Sequence, residues 1–195
     1  MKKNNLPVFP LGLVALPSTI QNLQIFEHRY ISMVKDCMKN NHGFVIVFQK
    51  SGEGNDFEIS KKGSYVEIID FNNLPNGLLG ISVKSINKVA ISNLVQLQDG
   101  LNVAEVNPLI DPEVDDQALL AEFPEISNIL NQLVKHPRVA DMPIEVDFNS
   151  ADSVAYHLAG LIPIPWSHKQ SLLEAFDASQ RFAILSKYIE EISSS

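Results

Sequence analysis

Residues 23–37, "LQIFEHRYISMVKDC", hold the densest group of side chains that could do chemistry. Cys37 is the only cysteine of the chain, and His28 and His42 lie near it in sequence. A thiol beside an imidazole can act as a nucleophile, because the imidazole removes the thiol proton. Cys37, however, falls on the apolar face of a predicted helix, where a free cysteine usually behaves as a small hydrophobic residue. We therefore expect a buried structural thiol at this position.

Ser153 and His157 form a second candidate pair, since residues four apart meet on a helix surface. The surrounding sequence has no G-x-S-x-G nucleophile elbow, so the spacing alone does not indicate a hydrolase. The five histidines show neither H-x-x-x-H nor H-E-x-x-H spacing, and the chain has no G-x-x-x-x-G-K-[ST] phosphate loop. The acidic run 111–116 lacks the glycine and the terminal Glu of a calcium loop. We predict no catalytic, cofactor-binding or metal-binding residues.

The charge of the chain is unevenly distributed. The net charge is −8, of which residues 1–110 contribute +1 and residues 111–195 contribute −9. Neither part has the basic stripe that nucleic-acid binding requires, which argues against a nucleic-acid partner. The N-terminus has no apolar stretch of signal-peptide length, and no apolar run is long enough to span a bilayer. We expect a cytoplasmic protein without a membrane partner.

The elements that would position these side chains differ between the two parts. Residues 1–110 contain short β-type runs, among them "LPVFPLG", "TIQNLQIF" and "GFVIVFQ", the last predicted to be buried on both faces. Four more strands are predicted after them, namely "GSYVEIIDF", "LLGISVKSI", "KVAISNLVQL" and "LNVAEVNPL". The segments "LPNG" and "QDG" indicate hairpin turns. This pattern is typical of a small, strongly bent antiparallel sheet or barrel.

One helix interrupts the strands. Its apolar face is predicted from residues at helical spacing, which are Tyr30, Val34, Cys37 and Met38. Glu27 lies near its N-terminal end, where the helix dipole favours a carboxylate. Asn40, Asn41 and Gly43 are expected to end it.

Residues 111–195 are predicted to form amphipathic helices. Asp115 and Asp116 precede the first, and Ser150 is a good N-cap for the helix in "SADSVAYHLAGLI". The segment "IPIPW" breaks the chain before two final helices. We therefore predict two domains, residues 1–110 and residues 111–195.

Three segments together resemble the Lon protease N-terminal domain family. They are "PVFPLGLVALPSTIQNLQIFEHRYISMVKDC", "KKGSYVEIIDFNNLPNGLLGISVKSINKVAI" and "SVAYHLAGLIPIPWSHKQSLLEAFDASQRFAILSKYI". The structural signature of the family is matched at Phe26, Glu27, Arg29 and Tyr30, while His28 stands where the family often has Pro. The resemblance implies an α+β fold: a PUA-like small β-barrel with one embedded helix, followed by an α-helical bundle. It also implies that Glu27 and Arg29 are scaffold residues.

The resemblance implies a non-enzymatic substrate-recognition module. Such a domain binds unfolded or exposed polypeptide segments, and the implied role is an adaptor in protein quality control whose partners include a protease or its substrates. Homo-oligomer formation is compatible with it. Because the sequence ends at Ser195, we expect a stand-alone protein without the ATPase and Ser–Lys protease modules of Lon. PUA-like barrels in other families bind RNA, so an RNA-binding module is the alternative.

Peptide binding needs apolar surface that water can reach. Proline leaves backbone groups unpaired at sheet edges and turns, which points to the two Pro-punctuated segments "GLVALP" and "IPIPW". The candidate peptide-binding residues are Leu13, Val14, Leu16, Ile164 and Trp166. The competing interpretation is that these side chains only close the sheet and the helical part.

Overall fold

The computed structural model describes residues 5–51 and 57–193, in which strands occupy the first part of the chain and helices the second. The strands are β1 (Asn5–Leu11), β2 (Ile20–Ile25), β3 (Phe44–Ser51), β4 (Phe57–Asn73), β5 (Leu79–Gln96) and β6 (Asn102–Pro108). The helices are α1 (His28–Asn40), α2 (Asp116–Glu122), α3 (Pro124–Val134), α4 (Pro137–Ala140), α5 (Ala151–Leu161), α6 (Trp166–Glu174) and α7 (Ala178–Ser193). The predicted α+β class is confirmed. The chain divides into two compact units, residues 1–109 and residues 110–195.

The strands of the first unit form one mixed sheet in the order β2-β5-β4-β3-β1-β6, with an additional pairing of β5 and β6. The β1–β3 pairing is parallel, and the other pairings are antiparallel. Pro10 lies in the end of β1 that pairs with β3 but not with β6. At this position β1 has a neighbouring strand on one side only, so the missing N–H of Pro10 does not interrupt pairing on both sides. This is the position expected for proline at a sheet edge.

Strand β3 is buried on both faces, as its continuous apolar sequence predicts. Phe44 and Ile46 pack into a core with α1, while Val45 and Val47 pack into a second core on the other side of the sheet. Alternate side chains of a strand point to opposite faces, so one apolar run serves both cores.

Helix α1 covers one face of the sheet through Tyr30, Met33, Val34 and Cys37. The prediction for Met38 is wrong, because its side chain is 43% exposed and Met33 takes its place in the core. Both positions are compatible with helical spacing, and only the direction of the neighbouring sheet decides between them. Asn41, in the left-handed conformation at φ 52°, ends the helix as predicted.

Strand β5 combines two predicted strands, so the prediction of four strands after the polar loop is wrong and three are present there. The segment 86–88 contains neither Gly nor Pro, and β5 continues through it while changing neighbours from β2 to β6. Both predicted hairpin turns are confirmed, with Gly77 and Gly100 at φ +77° and +84°. A residue with a side chain would be strained in this conformation.

The helices of the second unit begin at recognisable caps. Asp115 accepts a hydrogen bond from the Ala118 N–H at the start of α2, and Ser150 accepts one from the Ser153 N–H at the start of α5. The Ser150 cap is therefore confirmed. The short helix α4 was not predicted, and it begins at Pro137 after the His136 cap.

A fully buried guanidinium lies within the second unit. Arg181, on α7, donates to Asp111 Oδ2 and to Asp152 Oδ1, each at 2.6 Å. Its guanidinium also lies 4.9 Å from the centre of the Tyr156 ring. Because a buried charge is tolerated only when it is paired and hydrogen-bonded, these contacts tie α7 to α5 and to the start of the unit.

Candidate peptide-binding surfaces

The structure places Cys37 where it cannot act as a nucleophile. The side chain is 1% exposed, and burial raises the pKa of its thiol to about 11. Its Sγ lies 3.6 Å from the Gly43 carbonyl oxygen, and His42 Nδ1 lies 2.9 Å from the same oxygen. Thiol and imidazole therefore share one acceptor, and the imidazole is not arranged to take the thiol proton.

Ser153 and His157 do meet, but not as nucleophile and base. His157 Nδ1 lies 2.8 Å from the Ser153 carbonyl oxygen and 3.3 Å from Ser153 Oγ. The carbonyl can only accept a hydrogen bond, so Nδ1 carries the proton and cannot remove another from the serine. Ser153 Oγ also accepts from the Asp147 N–H at 3.0 Å. The pair closes the start of α5 and has no activated hydroxyl.

Within the described ranges, no group of three or more His, Cys, Asp or Glu side chains could hold a metal ion. No described helix has both the length and the apolar character needed to cross a membrane.

The strand-to-helix junction at 26–30 is built around Arg29. Its guanidinium donates to the Gly100 carbonyl oxygen at 2.8 Å, pairs with Glu27 at 2.7 Å and lies 4.7 Å from the centre of the Tyr30 ring. Tyr30 stacks on Phe9 of β1 with ring centres 3.9 Å apart. These are contacts between neighbouring elements, of the kind expected for scaffold residues. Phe26 differs, because its side chain is 66% exposed.

The five candidate peptide-binding residues are not equally accessible. Val14, Leu16 and Ile164 are buried, with 3%, 1% and 6% of their surface exposed. Leu13 is partly buried against the core of the first unit, and Trp166 is 43% exposed. Only Leu13 and Trp166 therefore present apolar surface that a peptide could contact directly, one in each unit.

Trp166 stands at the first position of α6, directly after Pro165. The Lys169 ammonium lies 4.9 Å from the centre of the indole ring, one helical turn further along. Burial lowers the pKa of Lys169. Because the ammonium holds one side of the ring by a cation–π contact, the exposed part of the indole is an ordered apolar surface.

A further accessible apolar segment was missed from the sequence. Strand β3 pairs with β4 only as far as Val66, and β4 continues to Asn73. Within the described ranges, residues 67–73 pair with β5 on one side and with no strand on the other. We call this segment the β4 edge. Ile69 and Phe71 on it are 50% and 56% exposed. The adjacent isoleucines 68 and 69 indicate this exposure in the sequence, because the side chains of neighbouring residues in a regular strand point to opposite faces.

The arrangement can bind polypeptide through apolar side chains and through a free sheet edge. Cys37 and the Ser153–His157 pair provide no activated nucleophile. These surfaces are candidate sites for binding polypeptide.

Comparisons with known proteins agree with this conclusion. The family model of the ATP-dependent protease La (LON) substrate-binding domain matches residues 5–191. Lon protease 1 of Bacillus subtilis (strain 168) is 25% identical over 97% of this chain, and Lon protease of Heliobacterium modesticaldum is 23% identical over 94%. The chain spans 25% and 23% of the length of these two curated relatives.

Two solved structures share the fold. The Lon N-terminal domain protein from Xanthomonas campestris superposes with a TM-score of 0.75 at 25% identity, covering 95% of this chain and 98% of that one. The N-terminal domain of Mycobacterium avium complex Lon protease gives 0.71 at 15% identity, covering 95% and 97%. The match of sequence and fold over nearly the whole chain shows that it belongs to the LON substrate-binding domain family.

Proposed function

We propose that this chain is a non-enzymatic module that binds exposed segments of unfolded or partly unfolded proteins. The observation that carries the proposal is the match of residues 5–191 to a substrate-binding domain and not to an ATPase or protease domain. The geometry of Cys37 and of the Ser153–His157 pair supports the absence of catalysis.

The accessible apolar side chains support polypeptide as the ligand. Trp166 offers a rigid aromatic surface at the start of α6, and Leu13 offers a smaller one in the first unit. Aromatic anchors contribute a large share of binding free energy where they enter a partner's pocket. Val14, Leu16 and Ile164 are buried, so their role is to pack the segments that carry Leu13 and Trp166 against the rest of each unit.

The proposal includes a specific architecture for each unit. The pairings run from β5 through β4, β3, β1 and β6 and return to β5, which supports a PUA-like small β-barrel with α1 embedded in its connections. The helices of residues 110–195 support an α-helical bundle, with the Arg181 cluster as its polar centre.

The biological setting belongs to the proposal as well. The chain acts in the cytoplasm as an adaptor in protein quality control, and its partners are unfolded proteins and a protease that degrades them. Self-association is compatible with this role. Cross-linking in cells, followed by identification of the joined proteins, tests the partner class.

Binding to a defined unfolded protein tests the function directly. Fluorescein-labelled, reduced and carboxymethylated α-lactalbumin should raise its anisotropy when titrated with this chain, and native α-lactalbumin should not. Trp166→Ala should weaken the interaction about tenfold, as expected for an aromatic anchor. Ile192→Ala is the matched control, because Ile192 is also half-exposed in the second unit. Equal affinity of both variants would exclude Trp166 as an anchor, and no binding by wild type would overturn the function.

The same titration separates peptide binding from RNA binding. The net charge of −8 offers few cations for phosphate neutralisation. A labelled single-stranded RNA should therefore show no anisotropy change at physiological salt. Saturable RNA binding that weakens steeply with added salt would favour the RNA-binding alternative.

A further inference from the structure

The β4 edge combines backbone and side-chain features that suit an extended ligand. A strand with one free side presents N–H and C=O groups that can pair with another chain. On the side away from β5, residues 67–73 have no strand beside them among the described residues, and most of them are exposed. The segment contains neither proline nor lysine, two residues that commonly protect such edges.

Phe71 extends an apolar row of the sheet to this edge. It lies opposite Ile81 of β5, which in turn lies opposite Leu23 of β2. Ile81 and Leu23 are buried at 3% and 8% exposure, whereas Phe71 is 56% exposed. Residues directly opposite in neighbouring strands pack side by side. An added strand would therefore place an apolar side chain against Phe71 and continue the row.

A small cavity adjoins the start of the β4 edge. It has a volume of about 140 Å³ and is lined by Cys37, Met38, Asn41, His42, Glu67 and Ile68. Four of these residues belong to the C-terminal end of α1 and the turn after it. The half-exposed Met38 gives the lining of the cavity a flexible apolar side chain, which can adapt to different ligands.

One backbone group on the edge is held by a replaceable partner. The Phe71 N–H donates to the side chain of Asp70 at 2.9 Å. The carbonyl of an incoming strand can take the place of that carboxylate. The displaced carboxylate would then favour a cationic side chain on the ligand. Glu67 is the other charged residue of the edge, so residues 67–73 carry two carboxylates and no cation.

We propose that the β4 edge binds an extended polypeptide segment by strand addition, and that it selects segments in which apolar and basic residues alternate. The inference rests on the proposed function and assigns it a site and a ligand class. The ligand adds its backbone to β4, places an apolar residue against Phe71, and directs basic residues towards Asp70 and Glu67.

A synthetic peptide provides the probe. We would use a fluorescein-labelled peptide of about ten residues in which valine and lysine alternate, long enough to form one strand. It should bind the wild-type chain, and a peptide in which glutamate replaces lysine should bind at least about tenfold more weakly, with a difference that shrinks as salt is added.

Variants of the chain locate the site. Ile69→Lys combined with Phe71→Lys should weaken binding of the valine–lysine peptide at least about tenfold. Ile86→Lys is the matched control and should change the affinity less than about twofold. Ile86 is also a half-exposed isoleucine at a register shift, but on β5. Circular dichroism verifies that the variants retain the fold.

N-methylated peptides test strand addition with the unaltered protein. Alternate amides of an added strand face β4, so methylating one alternate set should abolish binding and methylating the other should not. Equal binding of both peptides, or an unchanged affinity of the double-lysine variant, would overturn the site.

Three more outcomes would also contradict the inference. A stable dimer of the free chain that the double-lysine variant dissociates would show that a second copy occupies the edge. If carboxymethylated α-lactalbumin binds wild type and the double-lysine variant equally, the proposed function stands and the β4 edge is not its site. If wild type binds neither probe, both proposals fail.

Discussion

Single side chains in this protein join elements that are distant in sequence. Arg29 at the start of α1 donates to the carbonyl oxygen of Gly100 in the turn between β5 and β6. The same guanidinium pairs with Glu27. A charged donor that reaches a backbone carbonyl contributes more to stability than a neutral one, because the hydrogen bond is charge-assisted.

Replacing Arg29 should therefore destabilise the fold. We expect Arg29→Ala to lower the free energy of unfolding by about 1.5–3 kcal/mol, the contribution typical of a hydrogen bond to a charged group. Urea denaturation measures the change. Lys35→Ala, an exposed position on the same helix, is the control and should stay within about 0.5 kcal/mol of wild type. Equal stability of both variants would remove the scaffold role from Arg29.

The buried thiol makes stability depend on alkaline pH. Burial raises the pKa of Cys37 to about 11, while a free thiol ionises near about 8.5. Between these values the unfolded chain has lost the thiol proton and the folded chain retains it. The folded state then binds more protons, so the free energy of unfolding falls as pH rises.

Comparison with Cys37→Ala isolates this effect. From about pH 8.5 to pH 11 the wild type should lose about 2 kcal/mol more stability than the variant, at about 1.4 kcal/mol per pH unit of ionisation. Below pH 8 the difference between the two proteins should be constant. Urea denaturation at several pH values gives the measurement, and a difference that does not change with pH would mean that the thiol is accessible.

At the scale of elements, α1 shows how a helix selects its buried face. Met33 is 2% exposed and Met38 is 43% exposed, although both are methionines on the same helix. Met33→Ala should lower the free energy of unfolding by about 2–5 kcal/mol, because it leaves a cavity in the core. Met38→Ala should change it by less than about 0.5 kcal/mol. Thermal or urea denaturation of the pair tests which face is buried, and equal costs would contradict this packing.

Features that depend on neighbours along the chain could be predicted from the sequence. The turns at Gly77 and Gly100, the Ser150 cap and the end of α1 at Asn41 each follow from a residue that suits one backbone conformation. The resemblance of the segment around Glu27 and Arg29 also indicates the family, which the family model confirms.

Features that depend on packing could not be predicted in the same way. The burial of Ile164 beside the exposed Trp166 is determined by which side of a short segment meets the other helices. The β4 edge arises because β4 extends beyond the part that pairs with β3. No local sequence pattern relates the lengths of two paired strands. The continuity of β5 depends on three partner strands that lie in separate parts of the sequence.

At the scale of the whole molecule, the negative charge is concentrated in the helical part of the chain. Residues 111–195 carry a net charge of −9, and residues 1–110 carry +1. The buried Arg181 takes two carboxylates of the acidic part into an ion-pair network. A surface with an excess of carboxylates disfavours contact with the phosphates of nucleic acids.

The purified chain should be catalytically silent. We expect no ATP hydrolysis and no cleavage of casein, because the thiol of Cys37 is buried and His157 cannot serve Ser153 as a base. Phosphate release and fluorescein-casein assays measure both activities, with a complete Lon protease as positive control. Turnover that disappears in Cys37→Ala, Ser153→Ala or His157→Ala would contradict the prediction.

The pairing of β1 with β6 has a consequence for the order of folding. Asn5 lies opposite Glu105, so the first strand of the described sheet needs a partner that is synthesised last in that sheet. Contacts between such distant residues form slowly, because a long loop must close first. Until β6 emerges, β1 can pair only with β3 and keeps one side free, a state in which nascent sheets are prone to aggregate. A chain that stalls before residue 102 therefore exposes an unfinished sheet and becomes a target for the chaperones and proteases that remove unfolded proteins.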